Sequence, residues 1–256
     1  MRNVLAILER ELRAYFASPI VYVLATIFLL ITGAFFYVTV YSYAQASLQA
    51  AGQPFAATYL NSTEIVFRPL FANIWVIMLL MMPLLTMRLF AEERRLGTIE
   101  LLFSYPVRDG DVILGKLLAV VAVFLVMMGL TAAYPAYLAA VGTVEWGPLV
   151  TGYLGIACLA LALFAWGMFF STLTENQIVA ALIGFGFALL AFILNWLADA
   201  TTGRGAAVLE YLSIQQHLQS FARGTLDTRD VVYYLIVATL GLFLTWRSLE
   251  SRRWRA

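Results

Sequence analysis

The chain has 256 residues, of which 62% are hydrophobic and only 12% charged, and its net charge is +1. Water-soluble domains are about half apolar, so this composition excludes an ordinary soluble globule, and the near-neutral balance points to no nucleic-acid partner. A lone cysteine, Cys158, excludes an intrachain disulfide framework.

Residues 2–16 carry the period of a helix lying in a membrane interface. At about 100° per residue, Val4, Leu5, Leu8, Leu12, Tyr15 and Phe16 share one face. Glu9, Arg10 and Arg13 take the other, and Glu11 intrudes at the apolar edge. Ser18-Pro19 then breaks the helix. Residues 1–18 are either an elbow helix that carries motion into the first span or a plain topogenic anchor. The charged, amphipathic amino end lacks the short basic start of a cleavable signal peptide.

Six apolar stretches reach the roughly 20 residues needed to cross about 30 Å of hydrocarbon as helix. They are 20–41, 71–90, 112–141, 148–170, 177–197 and 231–249. The third is over-long and is expected to tilt or bend near Gly129 or Pro135. The expected fold is all-α: one polytopic membrane domain over residues 1–256 with six transmembrane helices.

Sidedness follows from the basic residues. Arg2, Arg10, Arg13, Arg88, Arg94, Arg95, Arg108, Lys116, Arg247, Arg252, Arg253 and Arg255 fall on one side; Arg68, Arg204, Arg223 and Arg229 fall on the other. Both termini and the polar island 86–116 are therefore expected in the cytoplasm, and 41–70, 142–147 and 199–230 outside.

That island is where the charge concentrates. A helix continuing the second span through Arg88, Glu92, Glu93, Arg94 and Arg95 is interrupted by Gly97. Thr98 can cap a new short helix over 99–104, with Glu100 in its favourable first turn and Pro106 stopping it. Ile99, Leu102 and Phe103, with Leu101 between them, then leave an apolar face that a partner's groove can take. The plainer reading is a turn lying on the headgroups, with Glu92–Arg95 as a solvated charge run. Asp109 or Asp111 restarts helix for the third span.

Further along, Thr174 with Gln177 fits a capping box for the fifth span. In that span Ala180, Gly184 and Ala188 lie four apart, a spacing that lets helix backbones approach. Segment 199–230 reads as one amphipathic helix, through Val208, Leu209, Leu212, Leu218 and Phe221, ended near Gly224. Asp227 caps the sixth span and Asp230 sits in its first turn, while His217, the sole histidine, reads as structural.

Catalytic chemistry finds no footing. Residues 110–117 imitate a phosphate-binding loop, but Leu117 replaces the metal-binding hydroxyl and the stretch enters a membrane span. Asn61-Ser62-Thr63 is a sequon of the kind that recurs by chance. There are no paired acids, no His/Cys cluster and no nucleophile elbow, so the chain reads as a non-enzyme without a cofactor or metal of its own. Coupling to ions is also disfavoured, because the interiors of all six spans lack charge.

The string from Pro83 to Lys116, PLLTMRLFAEERRLGTIELLFSYPVRDGDVILGK, resembles the signature of type-2 ABC exporter permeases. Within them it is most similar to the gliding-motility (GldF-like) branch and to permeases of copper-enzyme maturation systems. Weaker likeness covers Glu11, Tyr15, Phe16, Ser18 and Pro19; residues 171–177; and Tyr211-Leu212-Ser213, His217, Arg223-Gly224 and 226–233. The resemblance implies a permease subunit of the bacterial inner membrane, paired with a second copy or a related permease. Two copies of an ABC ATP-binding subunit would supply ATP and Mg, and an auxiliary protein facing the periplasm accompanies GldF-like systems. Gly97, Thr98, Ile99, Glu100, Leu101, Leu102 and Phe103 would form the coupling helix, and Thr174, Glu175, Asn176 and Gln177 a second cytoplasmic contact. The first and fifth spans would line the subunit interface. A secondary transporter or channel and a membrane scaffold remain the competing readings.

Overall fold

The computed structural model describes residues 2–50, 61–98, 108–142, 144–200 and 204–253. The first helix, α1 (Arg2–Ala17), stops where Ser18 and Pro19 interrupt it, and α2 (Pro19–Ala50) runs on past the expected end at residue 41. Next come α3 (Ser62–Thr86) and α4 (Arg88–Arg95), separated by a break at Met87. The expected external segment 41–70 is thus helical from Ser62. Asn61 is the reason: its Oδ1 accepts from the amides of Thr63 and Glu64, so the sequon asparagine is an N-cap.

The third stretch is two helices, α5 (Asp109–Leu130) and α6 (Ala133–Val141). Pro135 has no N–H for the carbonyl of Thr131, and that carbonyl accepts instead from the Tyr134 amide at 3.0 Å and from Tyr153 Oη at 3.2 Å. The bend therefore falls between the two positions expected. α7 (Trp146–Leu173), α8 (Gln177–Ala200), α9 (Arg204–Leu212), α10 (Ile214–Ala222) and α11 (Thr228–Arg253) complete the order. Among the described residues there is no strand, and the molecule is an all-α, multi-pass membrane protein with six helices long and apolar enough to span.

Burial divides these six into two kinds. Most of the apolar window is buried in α3 and α7, 67% in each, and in the α5–α6 span, 61%, against 22% for α2, α8 and α11. α7 is the hub, touching α3, α4, α5, α8, α10 and α11. Backbones meet there through glycine: a Cβ on Gly241 of α11 would lie 2.9 Å from the carbonyl carbon of Ala165, and one on Gly167 would strike Thr86. Edge-on rings, Phe28 to Phe124 at 5.9 Å and Phe124 to Phe164 at 5.6 Å, run from α2 through α5 to α7. The aliphatic and aromatic faces left bare on α2, α8 and α11 suit lipid or another subunit.

The segment expected as one amphipathic helix is two. Ser213 takes extended backbone between α9 and α10, its Oγ donating to the buried Asn195 Oδ1 at 3.1 Å. That buried bond holds the chain out of helix there. Gly224, at φ +87, does end the segment, and Asp227 Oδ1 accepts from Arg229 N at the start of α11. His217 is wholly occupied. Its Nε2 donates to the Tyr211 carbonyl at 3.1 Å, its Nδ1 lies 2.6 Å from Asp230 Oδ1, and its ring stacks on Tyr233 at 3.8 Å.

Candidate functional site

Six crossings put both ends of the chain on one side of the bundle, and α4 lies there. Its apolar residues Leu89, Phe90 and Ala91 are buried, and Arg94 and Arg95 occupy the last turn, where cations favour the negative helix end. Leu96 closes the helix and Gly97 follows at φ +68, a left-handed conformation that glycine adopts without a Cβ clash. Thr98 Oγ1 donates back to the Glu93 carbonyl at 3.2 Å, so it closes α4. Of the predicted coupling helix only Gly97 and Thr98, both exposed, are described; Ile99, Glu100, Leu101, Leu102 and Phe103 lie outside the described residues.

Three anchors hold α4. Ser171 of α7 is the first: its buried Oγ accepts from the amides of Phe90 and Ala91 at 3.0 Å each and donates to the Met87 carbonyl at 2.9 Å. It thereby satisfies amides that a helix start leaves without partners.

Arg94 is the second. Its Nη1 donates to the Thr172 carbonyl at 2.7 Å and its Nη2 to Glu175 Oε1 at 3.0 Å. Thr172 Oγ1 in turn reaches Ser248 Oγ of α11 at 2.8 Å.

Glu93 is the third. Its Oε1 accepts from Arg10 at 2.9 Å and from Lys116 Nζ at 3.0 Å; Glu11 Oε1 accepts from the same two cations at 2.7 and 2.9 Å. The Lys116 side chain is 2% exposed and lies 5.2 Å from the Phe90 ring centroid. A cation so buried needs charged partners, and two carboxylates supply them. Burial pushes the Glu11 carboxyl up, but Lys116 and Arg10 outweigh it and hold that group below its ordinary value.

The same cluster seats α1 on α5. A Cβ on Gly115 would fall 2.7 Å from Ile7 Cγ2 and 3.1 Å from the Val4 carbonyl oxygen, so glycine permits the approach. Tyr15 is buried, its hydroxyl donating to the Leu85 carbonyl at 2.7 Å beneath the Arg88 guanidinium, 4.0 Å from the ring centroid. Burial raises the Tyr15 phenol well above its usual value, so it stays a donor. The face that contacts the bundle is centred on Ile7, Glu11 and Tyr15, while Leu5 and Phe16 of the expected membrane-interface face are exposed. Docking on Gly115 turns the helix that way.

The structure thus joins residues that the sequence placed in separate groups. Glu93 faces α1 and α5, Arg94 meets Glu175 across the two loops, and Glu92 lines a recess of about 480 Å³ between α1 and α4. Arg95 is exposed. The capping box of Thr174 and Gln177 is not formed. Helix α8 starts at Gln177, so Asn176 is the cap, its Oδ1 accepting from Ile178 N at 2.9 Å, while Thr174 Oγ1 accepts from Asn176 N. Sequence reasoning missed Lys116 and Ser171 as anchors. The available signal was a pair of opposite charges, Glu11 and Lys116, each set on an otherwise apolar face. Residues 110–117, the imitation phosphate loop, are the first turns of α5, and Lys116 there is buried.

A family model for ABC-2 family transporter proteins matches residues 5–246. The chain belongs to the ABC-2 transporter family. It is a membrane permease component of an ABC transporter, a subunit that is not itself the ATPase, and the family implies an ABC ATP-binding partner. No curated protein matches the chain. In the ABC-2 permease, the cluster around α4 lies directly before the segment proposed to meet that partner.

Proposed function

We propose that this permease is an exporter subunit that receives movement from a separate ATP-binding subunit through Gly97–Phe103. The two ATP-binding copies bind ATP and Mg, and this chain holds no cofactor. The observation that carries the reading is the position of α4: it stops just before Gly97, and it is tied at once to α1 and α5 through Glu93 and to α7 and the connection before α8 through Arg94. A push delivered at the end of α4 therefore reaches α1, α5 and α7 directly through side-chain bonds. Thr174–Gln177 serve as the second contact, and Glu175 links it to α4 through Arg94. The excess of basic residues supports both termini in the cytoplasm, and the resemblance to type-2 ABC exporter permeases supports a bacterial inner membrane. The sparse burial of α2 and α8 suits a permease–permease interface, with a second copy or a related chain. Within the family we place the chain nearest the GldF-like branch, with its auxiliary protein on the periplasmic side.

The test is purification of the full chain from its native membrane, with ATP hydrolysis measured on what accompanies it. An ATP-binding subunit should co-purify in stoichiometric amount, and Ile99→Asp with Leu102→Asp should release it while leaving membrane insertion intact. Unchanged assembly and unchanged hydrolysis in that double variant would remove the coupling role.

A further inference from the structure

At the end of the bundle away from the termini, α3 and α10 enclose a recess of about 430 Å³. One wall carries an ion pair, Arg68 Nη1 to Glu64 Oε1 at 2.9 Å, with both side chains partly exposed. The opposite wall carries Gln215 and Gln219. Gln215 Oε1 is shielded from solvent and has no hydrogen-bond partner among the described residues. A buried acceptor without a donor is costly, so the position favours a ligand that brings an N–H or O–H. The floor, Pro69, Ala72, Leu218 and Ala222, is apolar.

This floor does not end at the recess. Ala72, Val76, Leu80 and Leu84 lie four apart along α3 and are exposed, although most of that helix is buried. The helices α2 and α8 also pack against α3. From Arg68 to Arg88 the chain rises about 30 Å, the thickness of a hydrocarbon layer. The recess therefore sits at a membrane boundary, with an apolar track leading inward from it.

We propose that the recess is a headgroup site for a zwitterionic phospholipid that bears N–H groups, with an acyl chain laid along the Ala72–Leu84 ridge. The charges match in order. Arg68 takes the phosphate, Glu64 takes the ammonium, and Gln215 Oε1 accepts one of its hydrogens. A trimethylated ammonium offers no hydrogen to that acceptor, and an anionic glycerol headgroup places no cation against Glu64. As a substrate-entry site its meaning rests on the permease reading; the binding itself does not.

The full chain would be placed in vesicles of equal phosphatidylethanolamine, phosphatidylcholine and phosphatidylglycerol, extracted mildly, and its retained lipids weighed by native mass spectrometry. Phosphatidylethanolamine should be enriched about tenfold over phosphatidylcholine, the discrimination one hydrogen bond to a charged donor provides. Gln215→Leu should bring that ratio near one, and Arg68→Gln should lower retention of both lipids. Soluble phosphoethanolamine should not displace the lipid; displacement at equal concentration would assign the site to a soluble ligand and overturn the lipid claim. Retention that mirrors the vesicle composition in the unaltered chain would also overturn it, whether or not the variants fold. So would a disulfide between two Leu80→Cys chains, which would give the ridge to a second copy. No ATPase enters this measurement, so its failure and the failure of the coupling role are read separately.

Discussion

At the end carrying the termini, Lys116 has two carboxylates, Glu11 and Glu93, and Arg10 stands beside both. At the opposite end, Asp230 and His217 have one another, and the remaining ring nitrogen has a single carbonyl. Both arrangements neutralise polar groups inside an apolar bundle, but the first is redundant and the second is not. A redundant cluster can lose one contact and keep its cation paired, which suits a region that must shift. A single short bond between two buried groups suits a joint that keeps α10 against α11.

The sharpest test of that contrast is His217→Leu, which strands the Asp230 carboxyl at 5% exposure. Removing one member of a buried pair costs about 3–5 kcal/mol. Chemical unfolding in mild detergent should show a loss of that size, and restoring an apolar match with His217→Leu plus Asp230→Leu should recover much of it. If the single variant unfolds like the parent, the far joint is not what holds α10.

Lys116→Met should cost less, about 2 kcal/mol, because Arg10 stays to compensate Glu11 and Glu93. Its signature should be local: faster amide exchange in α1 with α3 and α7 unchanged. A loss as large as that of His217→Leu would erase the distinction between the two ends.

Acid probes the same latch through Glu11. The folded state holds the Glu11 carboxyl below its ordinary value of 4.5, so the unfolded chain binds the proton more readily. The stability this gives is complete above pH 4.5 and is lost as pH falls through the lower folded value. Exchange of the α1 amides should therefore rise only below about pH 4.5, since Glu11 shows no reason to protonate earlier. In Glu11→Gln that acid step should vanish.

How much of this was readable beforehand follows from what each signal measures. Long apolar runs are set by local composition, so the six spans and the helix stop at Gly97 were plain in the sequence. The split at Ser213 was not, since it depends on Asn195 from a different helix. The cap of α8 went to Asn176 because the helix starts at Gln177, two residues later than the Thr174–Gln177 motif places it. In the site, Glu92–Arg95 and Thr174–Gln177 could be named as charged loops, but the bond between Arg94 and Glu175 joins positions far apart in sequence. Lys116 was hidden for the same reason: its partners come from the amino-terminal helix and from α4.

The smallest expected effect is at Glu175, whose side chain is 66% exposed. An exposed ion pair contributes about 0–1 kcal/mol, screened by salt. Arg94 keeps its bond to the Thr172 carbonyl when the carboxylate goes, so Glu175→Gln should leave unfolding within about 0.5 kcal/mol of the parent. Arg94→Gln should cost more, since Arg94 is 10% exposed and its loss releases Thr172 and Glu175 together. The pair thus separates holding from signalling. If Glu175→Gln leaves stability alone yet lowers partner-dependent ATP hydrolysis, the Arg94–Glu175 bond passes movement between the two loops. If both quantities stay at the parent value, the second loop takes no part in coupling, and α4 transmits through Glu93 and the Arg94–Thr172 bond.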